Sequence, residues 1–176
     1  DVYLTGSVML GNAFAESSQN DLKSLFPIMF LIIIVTLLLL LRSFTGTFVT
    51  VVVILLSIAS AMGMFGWLGW TLTGPTTSAP TVIMTMAVAD CVHILVTFLF
   101  NMRQGMLKAE AMQESIRVNF QPVFITSITT IVGFLTMNFS EVPPFRDLGN
   151  TVAMGVVAAF FLSVFFLPAL MMVLPV

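Results

Sequence analysis

"FPIMFLIIIVTLLLLL", Phe26 to Leu41, carries no charged side chain, and Arg42 follows it at once. Taken from Leu25, the run reaches the length of about 17–25 apolar residues that a helix needs to cross a bilayer. The reading it forces is a membrane span, and the rest of the chain agrees. Of 176 residues, 59% are hydrophobic and 8% are charged, where a soluble domain has about 25% charged residues. The apolar runs are helix-length, not the short alternating segments of porin strands.

Four more spans follow on the same criterion. The second covers about 48–70, with small residues Ala59, Gly63 and Gly66 at helical spacing for close helix contact in lipid. Trp67 and Trp70 mark a membrane-water boundary. "TLTGPTTSAP" is a loop punctuated by Gly74-Pro75 and Pro80. The third span covers about 81–100, the fourth about 122–139 and the fifth about 148–173, with Pro168 as a kink and "SEVPPFRD" as a tight loop before the fifth. Between the third and fourth spans, about 106–117, Met106, Ala109, Met112 and Ile116 share one face while Lys108, Glu110, Glu114 and Arg117 stay polar. That pattern predicts a short amphipathic helix lying in the interface.

The first 21 residues differ from all this. "VYLTGSV" is β-prone, and a polar stretch follows it. Alone it cannot bury a face. It is expected to be the last strand of a soluble domain, with the membrane domain beginning near residue 22, and the chain reads as a piece of something longer. Arg42, Arg103, Lys108 and Arg117 fall on one side of five spans, Lys23 and Arg146 on the other. The excess places the first group, and the C-terminus, in the cytoplasm.

An acid near the middle of a span costs about 2.5–3.5 kcal/mol on insertion scales. The third span nevertheless holds Asp90 and His93. At 100° per residue Asp90, His93, Thr97 and Asn101 lie within about 80° of one another, one polar stripe on one helix face. Such a stripe faces other helices or a water-filled path, not lipid. Two readings stand. Desolvation disfavours the charged form of a carboxyl group, so Asp90 is a candidate proton relay, with His93 tuning it or passing the proton on. Alternatively, Asp90 makes a structural hydrogen bond between helices. Thr126, Thr129 and Thr130 in the fourth span share a face with Gly133; they either line the same path or serve helix packing, as do Gly149, Ala153, Gly155 and Ala159 in the fifth.

No phosphate-binding loop or triad is present. The lone His93 and the lone Cys91 do not make a metal site. No cofactor, metal or enzymatic activity is expected. There is no basic run, so nucleic acid is not an expected partner.

In combination these motifs resemble the resistance-nodulation-division (RND) superfamily, and within it the MmpL-type hydrophobe and lipid exporters, relatives of the sterol-sensing domains. "VYLTG" is similar to the final strand of the family's extracytoplasmic porter domain. "MAVADCVHIL" resembles the fourth helix of a family half. "AMQESIRVNFQPVFITSITTIVGFLTM" resembles the amphipathic helix and fifth helix, and "FRDLGNTVAMGVVAAFFLSVFFLPAL" the sixth. Met86 stands where many members have glycine, and Cys91 where many have Tyr or Asp. The resemblance implies helices two to six of a six-helix half, with the "VADCVH" form pointing to the N-terminal half. It implies proton-driven export of a lipid-like or hydrophobic substrate from a bacterial inner membrane. The partners would be membrane lipids, protons as coupling ion, the second half of the same polypeptide, and a further copy or a periplasmic protein. A lipid- or sterol-sensing module without transport, and a protein-secretion auxiliary of the SecD/SecF kind, share the same helices.

Overall fold

A computed structural model describes residues 6–175 of the chain. Helix α1 (Ser7–Asn20) leads through a π turn, Asp21–Leu25, into α2 (Phe26–Leu41). Then come α3 (Phe44–Trp67), α4 (Ala79–Arg103), α5 (Lys108–Leu135), α6 (Pro143–Phe161) and α7 (Leu167–Val173). A second π turn, Leu162–Phe166, joins the last two. Five of the resulting helical segments are long and apolar enough to cross a membrane, and the described residues contain no strand. The chain is an all-α membrane bundle of five spans.

Both π turns precede a proline, Pro27 and Pro168. The carbonyl four residues before each proline belongs to Lys23 and Val164, inside the widened turn. Proline offers no N–H to that carbonyl and its ring crowds it; a π turn relieves both problems locally. The kink expected at Pro168 is therefore a π turn that ends two residues before it.

Several expectations need correction. The strand foreseen over "VYLTGSV" lies, for Val2 to Thr5, outside the described residues; Ser7 and Val8 are helical, as is the polar stretch that follows. The amphipathic segment 106–117 is not a separate interfacial helix. It is continuous with the fourth span, and α5 runs through Pro122. Within a packed bundle, neighbouring helices hold such a proline in place. The buried face of this segment is also turned from the one foreseen. Ala111, Met112, Ser115 and Asn119 are buried against protein, whereas Met106 and Ala109 are exposed. In α3 the buried small residues are Gly46, Ser57 and Ala61; Ala59, Gly63 and Gly66 face outward. α3 begins at Phe44 because Ser43 caps it, accepting from Gly46 N at 3.1 Å. α6 begins at Pro143, inside the expected "SEVPPFRD" loop, since proline suits the first helical turn, where an N–H has no partner anyway.

α4 is the central helix. About half of its most apolar stretch is buried inside the bundle (50%), against 11% for the span containing α2, which lies at the periphery. Leu95, Phe98, Leu41, Val53 and Leu167 form the core at one end; Ile83, Ala61, Val152 and Val156 form it at the other. Because lipid tails are as apolar as these side chains, what joins the helices is close packing and hydrogen bonding. Small residues let α6 approach closely. A Cβ at Gly149 would sit 2.4 Å from the Phe134 backbone oxygen of α5, and one at Gly155 would sit 2.3 Å from the Ile83 side chain of α4.

Candidate functional site

Asp90 lies midway along α4, between the two end cores, and is 1% exposed. α4 turns this carboxylate toward α5, where Ser127 Oγ donates to Asp90 Oδ2 at 3.5 Å. That contact is at the outer limit of a hydrogen bond. A hydroxyl both donates and accepts, so Ser127 suits either state of the acid: it donates to the carboxylate and accepts from the carboxylic acid.

His93 goes the other way. One turn from Asp90, it lies on the exposed stripe of α4, in line with Thr85, Ala89, Val96 and Phe100. No hydrogen bond joins it to Asp90 among the described residues. The structure thus separates the two ionisable members of the stripe, the acid inside and the imidazole at the open side of the bundle.

Further along, the stripe continues as a hydrogen-bonded seam between α4 and α5. Thr97 Oγ1 donates to His93 O at 3.2 Å. Asn119 Nδ2 donates to Thr97 Oγ1 and to Ser115 O, both at 2.8 Å. Ser115 Oγ donates to Ile94 O at 2.5 Å. Asn101 is half-buried, and its Nδ2 is buried without a partner among the described residues.

The threonines singled out in the fourth span are placed elsewhere. Thr126 and Thr129 are exposed and spend their hydroxyls on carbonyls of their own helix, Pro122 and Val123 for the first, Ile125 and Thr126 for the second. Such back-bonding satisfies a hydroxyl without a neighbour. Thr130 is half-buried. The groups of α5 that do face α4 are Ser115, Asn119 and Ser127, which sequence reading passed over. Their signal was the spacing: with Val123 they recur every four residues and so share one face.

A cavity of about 160 Å³ touches Ser127 from the α6 side, lined otherwise by Phe124, Ile128, Ile131, Val157, Phe160 and Phe161. Ser127 is its one polar lining residue. A buried water needs two to four polar partners, and this recess offers one hydroxyl. The hydrogen-bonded polar side chains between α4 and α5 lie along the seam, Thr97 and Asn119 among them. A larger pocket of about 520 Å³ opens between α3, α5 and α6, lined by Met64, Trp70, Ile131, Leu135, Met154 and Val157, among others. Asn150 stands at its edge, paired reciprocally with Asn138 at 2.8 and 2.9 Å.

The model of the MMPL family matches residues 1–175. The chain is also similar to "Putative membrane protein YdgH" of Bacillus subtilis (strain 168), 26% identical over 160 residues. That alignment covers 88% of this chain and 18% of the relative, so the chain spans less than a fifth of that protein's length.

Proposed function

The chain belongs to the MMPL family, and from that premise we propose that it is part of a transporter that exports lipid-like or hydrophobic substrates at the expense of a proton gradient. The observation that carries the reading is Asp90: a carboxylate buried near the middle of the most enclosed span, with one hydroxyl partner and no paired cation among the described residues. Intramembrane acids are functional by default, because their cost selects against them otherwise. Protonation removes the charge that the apolar surroundings oppose, and Ser127 accommodates both states. Moving one charge through the full potential is worth about 2.3 kcal/mol per 100 mV, which suffices to bias a conformational equilibrium. His93, on the open side, acts as a modulator at the entrance to the seam.

The test is Asp90→Asn in the full-length protein. Asparagine keeps the size and loses titration. We expect proton-coupled export to vanish while protein level and thermal stability persist, whereas Asp90→Leu lowers stability as well. Normal export by the asparagine variant would sink the relay and leave Asp90 as a packing residue.

We place the Arg42–Arg103 end of this multi-pass protein in the cytoplasm of a bacterial inner membrane, on the four-to-two excess of Lys and Arg. A cysteine at Gln104 should then resist an impermeant thiol reagent in intact cells, and one at Glu141 should react; the reverse pattern inverts the topology.

A second reading, a lipid-binding module without transport, is favoured by the pocket of about 520 Å³ with its single polar edge. Ligand sites of roughly 300–1,000 Å³ are apolar with a few placed polar groups. Lipid retained by the wild type without any substrate-dependent proton flux in vesicles decides for it.

A further inference from the structure

At the end of the bundle where α2 gives way to α3, two arginines from different helices converge. Arg42 forms the corner itself, in the left-handed region at φ 49° and ψ 37°, with its N–H donated to Leu38 O. That position usually takes glycine or asparagine, so an arginine there has its side chain against the backbone's preference. Arg103 arrives from the last turn of α4, where Nη2 donates to Leu41 O at 2.8 Å. The bond covers one of the unpaired carbonyls at the end of α2 and fixes the guanidinium plane, leaving its other donors available. Between the two lies a pocket of about 260 Å³, lined by Arg42, Ser43, Leu99, Met102 and Arg103.

Among the described residues no carboxylate pairs with either arginine. Among the described residues the one ion pair is Arg117–Glu114, on α5. Lys108 adds a further positive charge at the same end, its ammonium group held by the carbonyls of Met172 and Leu174. Two guanidiniums carry permanent charge in planar forks that match the oxygens of a phosphate. The pocket is smaller than the ~300–1,000 Å³ of sites that enclose a whole ligand, so it fits a headgroup and not an entire molecule. Its apolar wall, Leu99 and Met102, belongs to the packed core at this end of the bundle. The ends of α2 and α4 lie at headgroup depth if these helices span the membrane.

We propose that this pocket binds the phosphate group of an anionic phospholipid, clamping the α2–α3 corner to the end of α4. Basic pockets between spans are where such headgroups lodge. The inference does not depend on whether Asp90 carries protons. The same chemistry serves a free phosphate, and the experiment separates the two sources. Full-length protein in neutral detergent is titrated with phosphatidylglycerol, with phosphatidylcholine and with inorganic phosphate, and bound ligand is counted by native mass spectrometry. The expected result is one tightly held phosphatidylglycerol, weak retention of phosphatidylcholine, and displacement only at high inorganic phosphate. Tight binding of inorganic phosphate by itself assigns the pocket to the free ion. The Arg42 side chain makes no hydrogen bond among the described residues, so Arg42→Gln should weaken phosphatidylglycerol about tenfold, and Arg42→Lys by less, since a point charge replaces a fork. Arg117→Gln is the control for diffuse surface charge and should change nothing. Unchanged binding in Arg42→Gln, or an equal loss in Arg117→Gln, overturns the proposal.

Discussion

The seam between α4 and α5 is held by hydrogen bonds, while α6 is held to its neighbours by side chains that are missing. Across the first, Ser115, Asn119 and Ser127 reach Ile94, Thr97 and Asp90. Across the second, Gly149 lies under the Phe134 carbonyl and Gly155 under Ile83 and Ala61. Both solve the same problem, joining helices in a solvent that gives no hydrophobic drive between them. They differ in what they permit. A glycine contact has one state, and nothing about it changes when a proton arrives. A polar seam with an acid in it has at least two, because the acid changes from acceptor to donor as it gains its proton. The rigid seam suits a frame, and the polar seam suits a moving part.

The contrast breaks most visibly at Gly149. A methyl there would meet a backbone oxygen at 2.4 Å, and a helix carbonyl cannot swing aside. Gly149→Ala should therefore cost at least the upper part of the roughly 1–3 kcal/mol typical of overpacking. Gly155→Ala should cost less, although its Cβ would collide with Ile83 Cδ1 and Cγ1, because those are side-chain atoms that can turn where a helix carbonyl cannot. Thermal melting of the two variants in detergent checks the order. A Gly149→Ala protein as stable as wild type would mean that α6 is not packed as described.

How much of this was readable beforehand follows from the same contrast. The spans were legible because lipid demands an unbroken apolar run, and α2 has nothing else in it. Their ends were less so: the Ser43 cap and the prolines at Pro143 and Pro122 act through local geometry, which hydropathy does not register. Asp90 stood out as an acid in an apolar run. Its partner did not, since Ser127 sits among Thr126, Thr129 and Thr130, and only the way α5 is turned against α4 decides which hydroxyl faces inward. The small residues fared likewise. Gly149 and Gly155 pack as their spacing suggested, yet Gly63 and Gly66 do not, because spacing defines a face without saying what lies against it.

An intermediate effect is expected at Asn119. Asn119→Leu keeps the branched shape and removes both hydrogen bonds, to Thr97 and to Ser115. Interhelical hydrogen bonds in membrane proteins average about 0.6 kcal/mol and reach about 1.7. The loss should fall in that range, below that of Gly149→Ala, with export reduced if the polar seam is the proposed proton path to Asp90. A leucine variant with full export would remove Asn119 from the proton path and leave it as a fastener.

The smallest effect on stability, and the sharpest test of the contrast, is expected at Ser127. Its contact with Asp90 is long, 3.5 Å, and geometry at that limit contributes little. Ser127→Ala removes one oxygen from a site that already borders an apolar recess, so the smaller side chain is accommodated without a clash. The melting temperature should move by less than an interhelical hydrogen bond of ordinary strength would imply, under about 0.6 kcal/mol. If the seam is the moving part, however, the hydroxyl matters in both protonation states of Asp90, and export at fixed pH should fall severalfold while Ser127→Thr restores much of it. Measuring export and melting on the same full-length preparations separates the cases. A Ser127→Ala protein that loses stability and export in proportion would place the α4–α5 seam beside the glycine contacts, as part of the frame.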